Sequence, residues 1–235
     1  MRLFCFPYAG GSALTYRRWV AQLPPAIEAC LVQLPGRGSR LLDIPFKQIK
    51  PLVEATARGL SAYFGKPFAL YGHSMGAIIS FELARLLRRE RGLQPIRLFV
   101  SGRGAPQVAE SDAPTYALPE PEFLAELQRL EGTPQEVLEH PELMQAMLPL
   151  IRADFEAIQT YVYQAEPPLS CPISAFGGLQ DPSFSREELD AWRELTTASF
   201  SLRMFPGNHF FINSDQQLVV NAIVKELLNS IAPAQ

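Results

Sequence analysis

The chain has 235 residues, of which 47% are hydrophobic and 19% charged, with a formal net charge of −3. That length can bury one sizeable core, so a single domain over 1–235 is expected. The weak acidity gives no reason to expect a nucleic-acid partner, no apolar run is long enough to span a bilayer, and three cysteines and three histidines without a Cys-x-x-Cys make a metal site unlikely.

The first element is an apolar run at 3–6, reached without the layout of a signal peptide. With Cys5, Cys30 and Cys171 each in or beside an apolar run, buried reduced thiols and a cytoplasmic location are expected. Further strand-like runs occupy 29–34, 68–71, 96–101, 173–176 and 200–205, each apolar over most of its length, as parallel strands buried on both faces are. Between them, 14–22, 50–64, 75–91 and 215–231 carry apolar residues at helical spacing. Alternating strands and helices imply right-handed crossovers and an α/β fold with a mainly parallel, doubly wound sheet. The rhythm breaks once. About 70 residues separate the fourth and fifth strands, far more than one crossover needs. They hold helical patterns near 120–131, 134–139 and 142–160, punctuated by Pro106, Pro114, Pro119, Pro134, Pro141 and Pro149. A helical lid over 105–168, above the carboxyl ends of the strands, is the expectation; a plain structural extension is the alternative.

The run at 68–71 ends in Gly-His-Ser-Met-Gly and then becomes a helix. The bare Gly-x-Ser-x-Gly string is common, but a buried strand before it and a helix after it are the setting of a nucleophile elbow. There Ser74 sits on a strained turn, Gly72 and Gly76 remove side chains that would collide, and the helix amino end favours developing negative charge. The Met75 N–H is one oxyanion donor in such an arrangement, and the loop after the first strand supplies the other, for which Ala9 beside Gly10 and Gly11 is the choice.

A serine nucleophile needs a base. His73 precedes the serine in the elbow, so its side chain should point away and pack locally. His140 lies in the presumed lid and is expected to be exposed. His209, on a turn after the last strand marked by Pro206 and Gly207, is the expected base. Asp181, just beyond the 173–176 strand and between Ser74 and His209 in chain order, is the expected acid. Asp154 is held in reserve, and Asp43, Asp112, Asp190 and Asp215 are less suitably placed.

Together these residues resemble the type II thioesterases of polyketide and nonribosomal-peptide assembly lines, and equally the related medium-chain fatty-acyl synthase thioesterases, within the α/β-hydrolase superfamily. The likeness rests on FPYAGG at 6–11, LPGRGSR at 34–40, YGHSMGA at 71–77, EGTP at 131–134, PLIRADF at 149–155, GGLQD at 177–181 and PGNHFF at 206–211. It implies Ser74, Asp181 and His209 as the triad, Met75 and Ala9 as backbone oxyanion donors, no cofactor, and an acyl group delivered on a carrier protein's phosphopantetheine arm to a monomeric enzyme. Leu124, Leu127, Met144, Met147 and Phe155 would then line the lid side, unless they are ordinary packing. Two positions depart from the family: Asn208 stands where a second glycine is common, and Gly38 where an acidic residue is often found.

Carrier proteins are typically acidic, which draws attention to Arg17, Arg18, Arg37 and Arg40 as docking residues, with Arg37 equally suited to a structural anchor. Arg85, Arg88, Arg89 and Arg91 end the helix after the elbow and are more simply read as stabilising its carboxyl end. Two competing readings keep the same residues: a small-molecule carboxylesterase or lipase, and a non-catalytic acyl-carrier-binding protein with an inert triad.

Overall fold

The computed structural model describes residues 1–108, 113–129 and 141–231. All six expected strands form: β1 (Arg2–Phe6), β2 (Glu28–Leu31), β3 (Phe68–His73), β4 (Arg97–Ser101), β5 (Ile173–Gly178) and β6 (Phe200–Phe205). They make one sheet in the order β2-β1-β3-β4-β5-β6, with every neighbouring pair parallel. The central β3 and β5 are buried at every residue, which is why their sequences are almost wholly apolar or glycine.

Strand residues alternate between two cores. Phe4, Phe6, Leu70, Leu98, Val100 and Ala175 face α1 (Ile49–Gly59) and α2 (Met75–Arg91). Leu3, Cys5, Ala69, Tyr71, Phe99 and Phe176 face the other way, with Tyr16 and Trp19 of a 3₁₀ segment over Ala13–Gln22. Each such fully buried Leu or Phe contributes about 2 kcal/mol before entropy is counted. The 14–22 pattern is therefore helical but more tightly wound than the α-helix its spacing predicts.

Between β4 and β5 lie α3 (Glu120–Arg129) and α4 (Pro141–Gln159). The expected 134–139 pattern, the EGTP motif, Asp112 and His140 lie outside the described residues. Pro149 was expected to punctuate, yet α4 runs through it. The proline forgoes one backbone hydrogen bond, while Leu148, Leu150 and Ile151 on either side are buried and keep the helix continuous. The two ends of α4 pack in different places. Met144, Leu148 and Ile151 join Phe123 and Leu127 of α3 in a small separate core. Ala157 and Ile158 belong to the sheet's own core. Two short helices went unforeseen, α5 (Arg186–Asp190) after β5 and α6 (Phe211–Ser214) after β6. A capping box at Ser185 and Glu188 starts α5, a signal the sequence did carry. The last helix, α7 (Gln216–Ile231), covers the second face through Val219, Val220, Ile223 and Leu227.

The arginines ending α2 are used structurally. Arg85 is buried and bonds Glu82 and Glu166, and Arg88 and Arg89 also pair with Glu166. None of the cysteines is in a disulfide. Burial pushes their thiols up, Cys171 to about 11, Cys5 further still and Cys30 in the same direction.

Candidate active site

In an all-parallel sheet every strand delivers its following loop to the same edge. The chain leaves β1 for β2 on one side and later places β3 on the other, so the loops after β1 and β3 meet at the switch point where such sheets bind ligands. Ser74 follows β3 with φ 54 and ψ −117, the one non-glycine residue at positive φ among the described residues. A conformation of that kind costs about 1–3 kcal/mol and persists only where its surroundings over-determine it. Here the Ser74 N–H donates to the Ser101 carbonyl at 2.7 Å, and the Ser74 carbonyl accepts from the Ala77 N–H at 2.9 Å. The flanking glycines answer to close approach. A Cβ on Gly72 would lie 1.9 Å from the Gly76 carbonyl oxygen, and one on Gly76 would lie 2.3 Å from that of Phe6. Met75 opens α2, so its N–H is among those a helix start leaves without an internal partner.

The loop after β1 forms a tight turn in which the Gly11 N–H donates to the Tyr8 carbonyl at 2.9 Å. Gly10 occupies its third position at φ +75, as a type II turn requires. Ala9 takes the second position, whose N–H the turn's own hydrogen bond does not use.

On the other side of the elbow, β5 and β6 bring Asp181 and His209 together. His209 Nδ1 lies 2.8 Å from Asp181 Oδ2, and Asp181 Oδ1 accepts from the Ser183 N–H at 2.9 Å. Burial works to raise the Asp181 pKa, but the bonds from His209 and Ser183 outweigh it and hold the carboxyl below its ordinary value. The acid is therefore ionised where it meets the imidazole, an arrangement that can fix one tautomer and stabilise the protonated ring. His73 packs as expected, fully buried, with Nδ1 2.9 Å from Ser101 Oγ and its ring 5.0 Å from that of His209. Burial holds its pKa well below the ordinary imidazole value, so it stays neutral. Asn208, the departure from the expected glycine pair, is accommodated: its side chain accepts from the Phe210 N–H at 2.9 Å and its carbonyl from the Phe211 N–H at 3.1 Å, starting α6. At the other departure, Gly38 has φ +52 and a Cβ there would meet the Gln33 amide at 2.9 Å.

Ser74, His209 and Ala9 line one cavity of about 790 Å³. Of the expected lid-side residues, Leu127, Met147 and Phe155 line it, joined by Ile151 and Ile158. All five expected residues belong to or pack against the small core of α3 and α4, but Leu124 and Met144 do not line the cavity. Two rings the sequence reading passed over lie beside the His209 imidazole, Phe210 at 5.0 Å and Phe184 at 6.4 Å, and a third, Tyr8, packs on Phe210 at 5.0 Å. Tyr8 and Phe210 stand in the motifs FPYAGG and PGNHFF, and Phe184 follows the GGLQD motif by three residues.

One expectation is corrected. Arg37 cannot be a docking residue, because it is buried and forks onto Asp154, with Nη1 and Nη2 each 2.7 Å from a carboxylate oxygen. Asp154, held in reserve in the sequence reading, is engaged with Arg37 and the Gly10 N–H, and the carboxylate that meets His209 is that of Asp181. Arg17, Arg18 and Arg40 are exposed, and Arg40 pairs with Asp43. Among the described residues no cluster of His, Cys, Asp and Glu could hold a metal, and no helix is long and apolar enough to cross a membrane.

A family model described as a thioesterase domain matches residues 1–230. The gramicidin S biosynthesis protein GrsT of Aneurinibacillus migulanus is 43% identical over 233 residues, spanning 99% of this chain and 91% of that protein. Thioesterase PikA5 of Streptomyces venezuelae is 37% identical over 229 residues, spanning 97% and 81%. Among solved structures, the RedJ thioesterase of the prodiginine biosynthetic pathway in Streptomyces coelicolor superposes with a TM-score of 0.89 at 38% identity, over 96% of this chain and 85% of that one.

Proposed function

Since this chain belongs to the thioesterase family, we propose that it hydrolyses acyl thioesters presented on the phosphopantetheine arm of a synthase's carrier-protein domains. The observation that carries the reading is one cavity of about 790 Å³ with Ser74 and the Asp181-backed His209 on its sheet side and apolar residues of α3 and α4 on the other. In it Ser74 Oγ attacks the thioester carbonyl as His209 Nε2 takes its proton, and the N–H groups of Met75 and Ala9 receive the oxyanion. The C–S bond then breaks. A free thiol has a pKa of about 8.5, so the thiolate departs with little help, and the proton on His209 neutralises it. Water enters, His209 removes its proton, and attack on the acyl-enzyme releases a carboxylic acid and restores Ser74.

The residues over 105–168 act as a lid that shapes the acyl site, and the same machinery serves editing of mis-acylated carriers or release of a product. The pantetheine belongs to the partner, so the enzyme itself needs no cofactor. Arg17, Arg18 and Arg40 are the exposed cations offered to an acidic carrier surface, and the enzyme works as a monomer in the cytoplasm beside its synthase. Hydrolysis of acyl-carrier thioesters, set against oxygen esters of the same acyl groups, tests the assignment: a strong preference for oxygen esters makes the protein a carboxylesterase. Fluorophosphonate labelling that disappears in Ser74→Ala is expected. An unlabelled wild type leaves only an acyl-binding module.

A further inference from the structure

The ion pair between Arg37 and Asp154 is buried, with side-chain exposures of 5% and 2%, and does not touch the reacting serine. Removing two charges from water is expensive, and as a device for stability such a pair is often no better than apolar side chains of similar volume. Its contacts suggest a different purpose. Asp154 Oδ2 accepts from the Gly10 N–H at 2.7 Å as well as from Arg37 Nη1, and Arg37 Nη1 also donates to the Gly11 carbonyl at 3.1 Å. Arg37 Nε donates to the Pro35 carbonyl at 3.2 Å, which fixes the guanidinium itself.

These bonds fall on the turn that carries Ala9. The Gly11 N–H bond to the Tyr8 carbonyl sets the peptide plane before Ala9, since in a trans peptide the Ala9 N–H points opposite that carbonyl. The Gly10 N–H bond to Asp154 sets the plane after it. The second plane is therefore held by a side chain of α4, the helix whose Ile151, three residues before Asp154, and Phe155, the residue after it, line the cavity. Ile151 also closes on the turn directly, its Cγ1 lying 3.1 Å from where a Cβ on Gly10 would be.

We propose that Arg37 and Asp154 are positioning residues for acyl transfer, through which the oxyanion donor at Ala9 is aimed only while α4 is seated on the turn. The lid helix then has two tasks on one stretch: Ile151 and Phe155 contact the acyl group, and Asp154 holds the backbone that receives the oxyanion. This inference rests on the proposed roles of Ser74 and Ala9.

The test uses the full chain and acyl-pantetheine thioesters. Losing one partner alone strands a buried charge, so the informative variant replaces both, Arg37→Met with Asp154→Leu, which keeps volume and leaves nothing charged and unpaired. The expected result is a folded protein whose kcat falls by about 10²–10³-fold, the loss seen when an oxyanion donor is misplaced. KM should be unchanged. Affinity for an acyl trifluoromethyl ketone, which forms an oxyanion with Ser74, should fall in parallel, while affinity for the product carboxylic acid should not. Arg37→Lys keeps Asp154 on the Gly10 N–H but loses the fork, and a smaller loss of kcat is expected. Wild-type kcat in the folded double variant overturns the proposal, and so does an equal loss of affinity for ketone and product. Should the double variant not fold, Arg37→Lys carries the test: a fall in its ketone affinity with unchanged product affinity supports the proposal, and wild-type ketone affinity overturns it. Ser74→Ala in the same assay separates the two levels: if it retains turnover, the reading of the site has failed and takes this inference with it.

Discussion

The two sides of the cavity are built by different means. On the sheet side each functional group follows the end of a strand: residues 9–11 after β1, Ser74 after β3, Asp181 after β5 and His209 after β6. Strands β3 and β5 are buried throughout, so Ser74 and Asp181 are set by the sheet, whereas the turn at residues 9–11 is also held from the helical side by Asp154. On the other side α3 and α4 share a small core of Phe123, Leu127, Met144, Leu148 and Ile151, distinct from the cores of the sheet. That side meets the sheet through Ala157 and Ile158 and through the carboxylate of Asp154. On the proposed reading this is a division of labour, in which the sheet side places the reacting side chains and the helical side holds the acyl group and steadies the Ala9 turn.

Substitutions can break that division. Ser74→Ala or His209→Ala should reduce kcat by about 10⁶-fold, since members of such a triad act as a unit, while leaving acyl-product binding, followed by calorimetry, intact. Asp181→Asn should cost about 10⁴-fold in kcat by favouring the wrong tautomer of His209. If Asp154→Asn, in a protein that remains folded, were to equal it in kcat and pH profile, the acid has been misassigned. On the helical side Leu127→Ala, Met147→Ala and Phe155→Ala should instead redistribute rates among acyl chain lengths by about 10–200-fold, with the fluorophosphonate labelling rate little changed. A uniform loss for all chain lengths would erase the distinction.

The smallest effect concerns pH and sharpens the sheet side alone. His73 is neutral in the folded protein because burial holds its pKa well below the ordinary imidazole value of about 6.5. The unfolded chain takes up a proton there and the folded one does not, so stability is fully present above about pH 6.5 and declines as pH falls below it. Chemical denaturation from pH 8 to pH 5 should show that slope, and His73→Gln should flatten it. Asp181 acts in a lower window. Its folded pKa is depressed, so its contribution is present above the ordinary carboxylate range and is lost only as pH falls through the folded value.

How much of this was legible beforehand follows the same division. The strands could be read because burial on both faces leaves a nearly unbroken apolar run, and the elbow because Gly72 and Gly76 have no room for a side chain. Chain order then pointed to Asp181 and His209. The helical side was harder. A pattern such as Leu124, Leu127, Met144 and Met147 reads alike in sequence, and all four share one small core, yet only Leu127 and Met147 also reach the cavity. The pairing of Arg37 with Asp154 spans 117 positions, and no local periodicity records it. Both residues stood in motifs of the family resemblance, but a motif does not say whom its charge meets.

The state of the three cysteines has a consequence for the chemistry. An enzyme that works on thioesters releases a thiol at each turnover and sits among acylated carriers, so an ionised thiol of its own would capture acyl groups by exchange. Cys5 and Cys171 are enclosed, Cys30 is partly so, and all three are held in the protonated, poorly nucleophilic form by pKa values pushed upward. On the proposed reading sulfur is thus kept out of the acyl traffic, and the acyl group passes to the oxygen of Ser74, from which water can clear it.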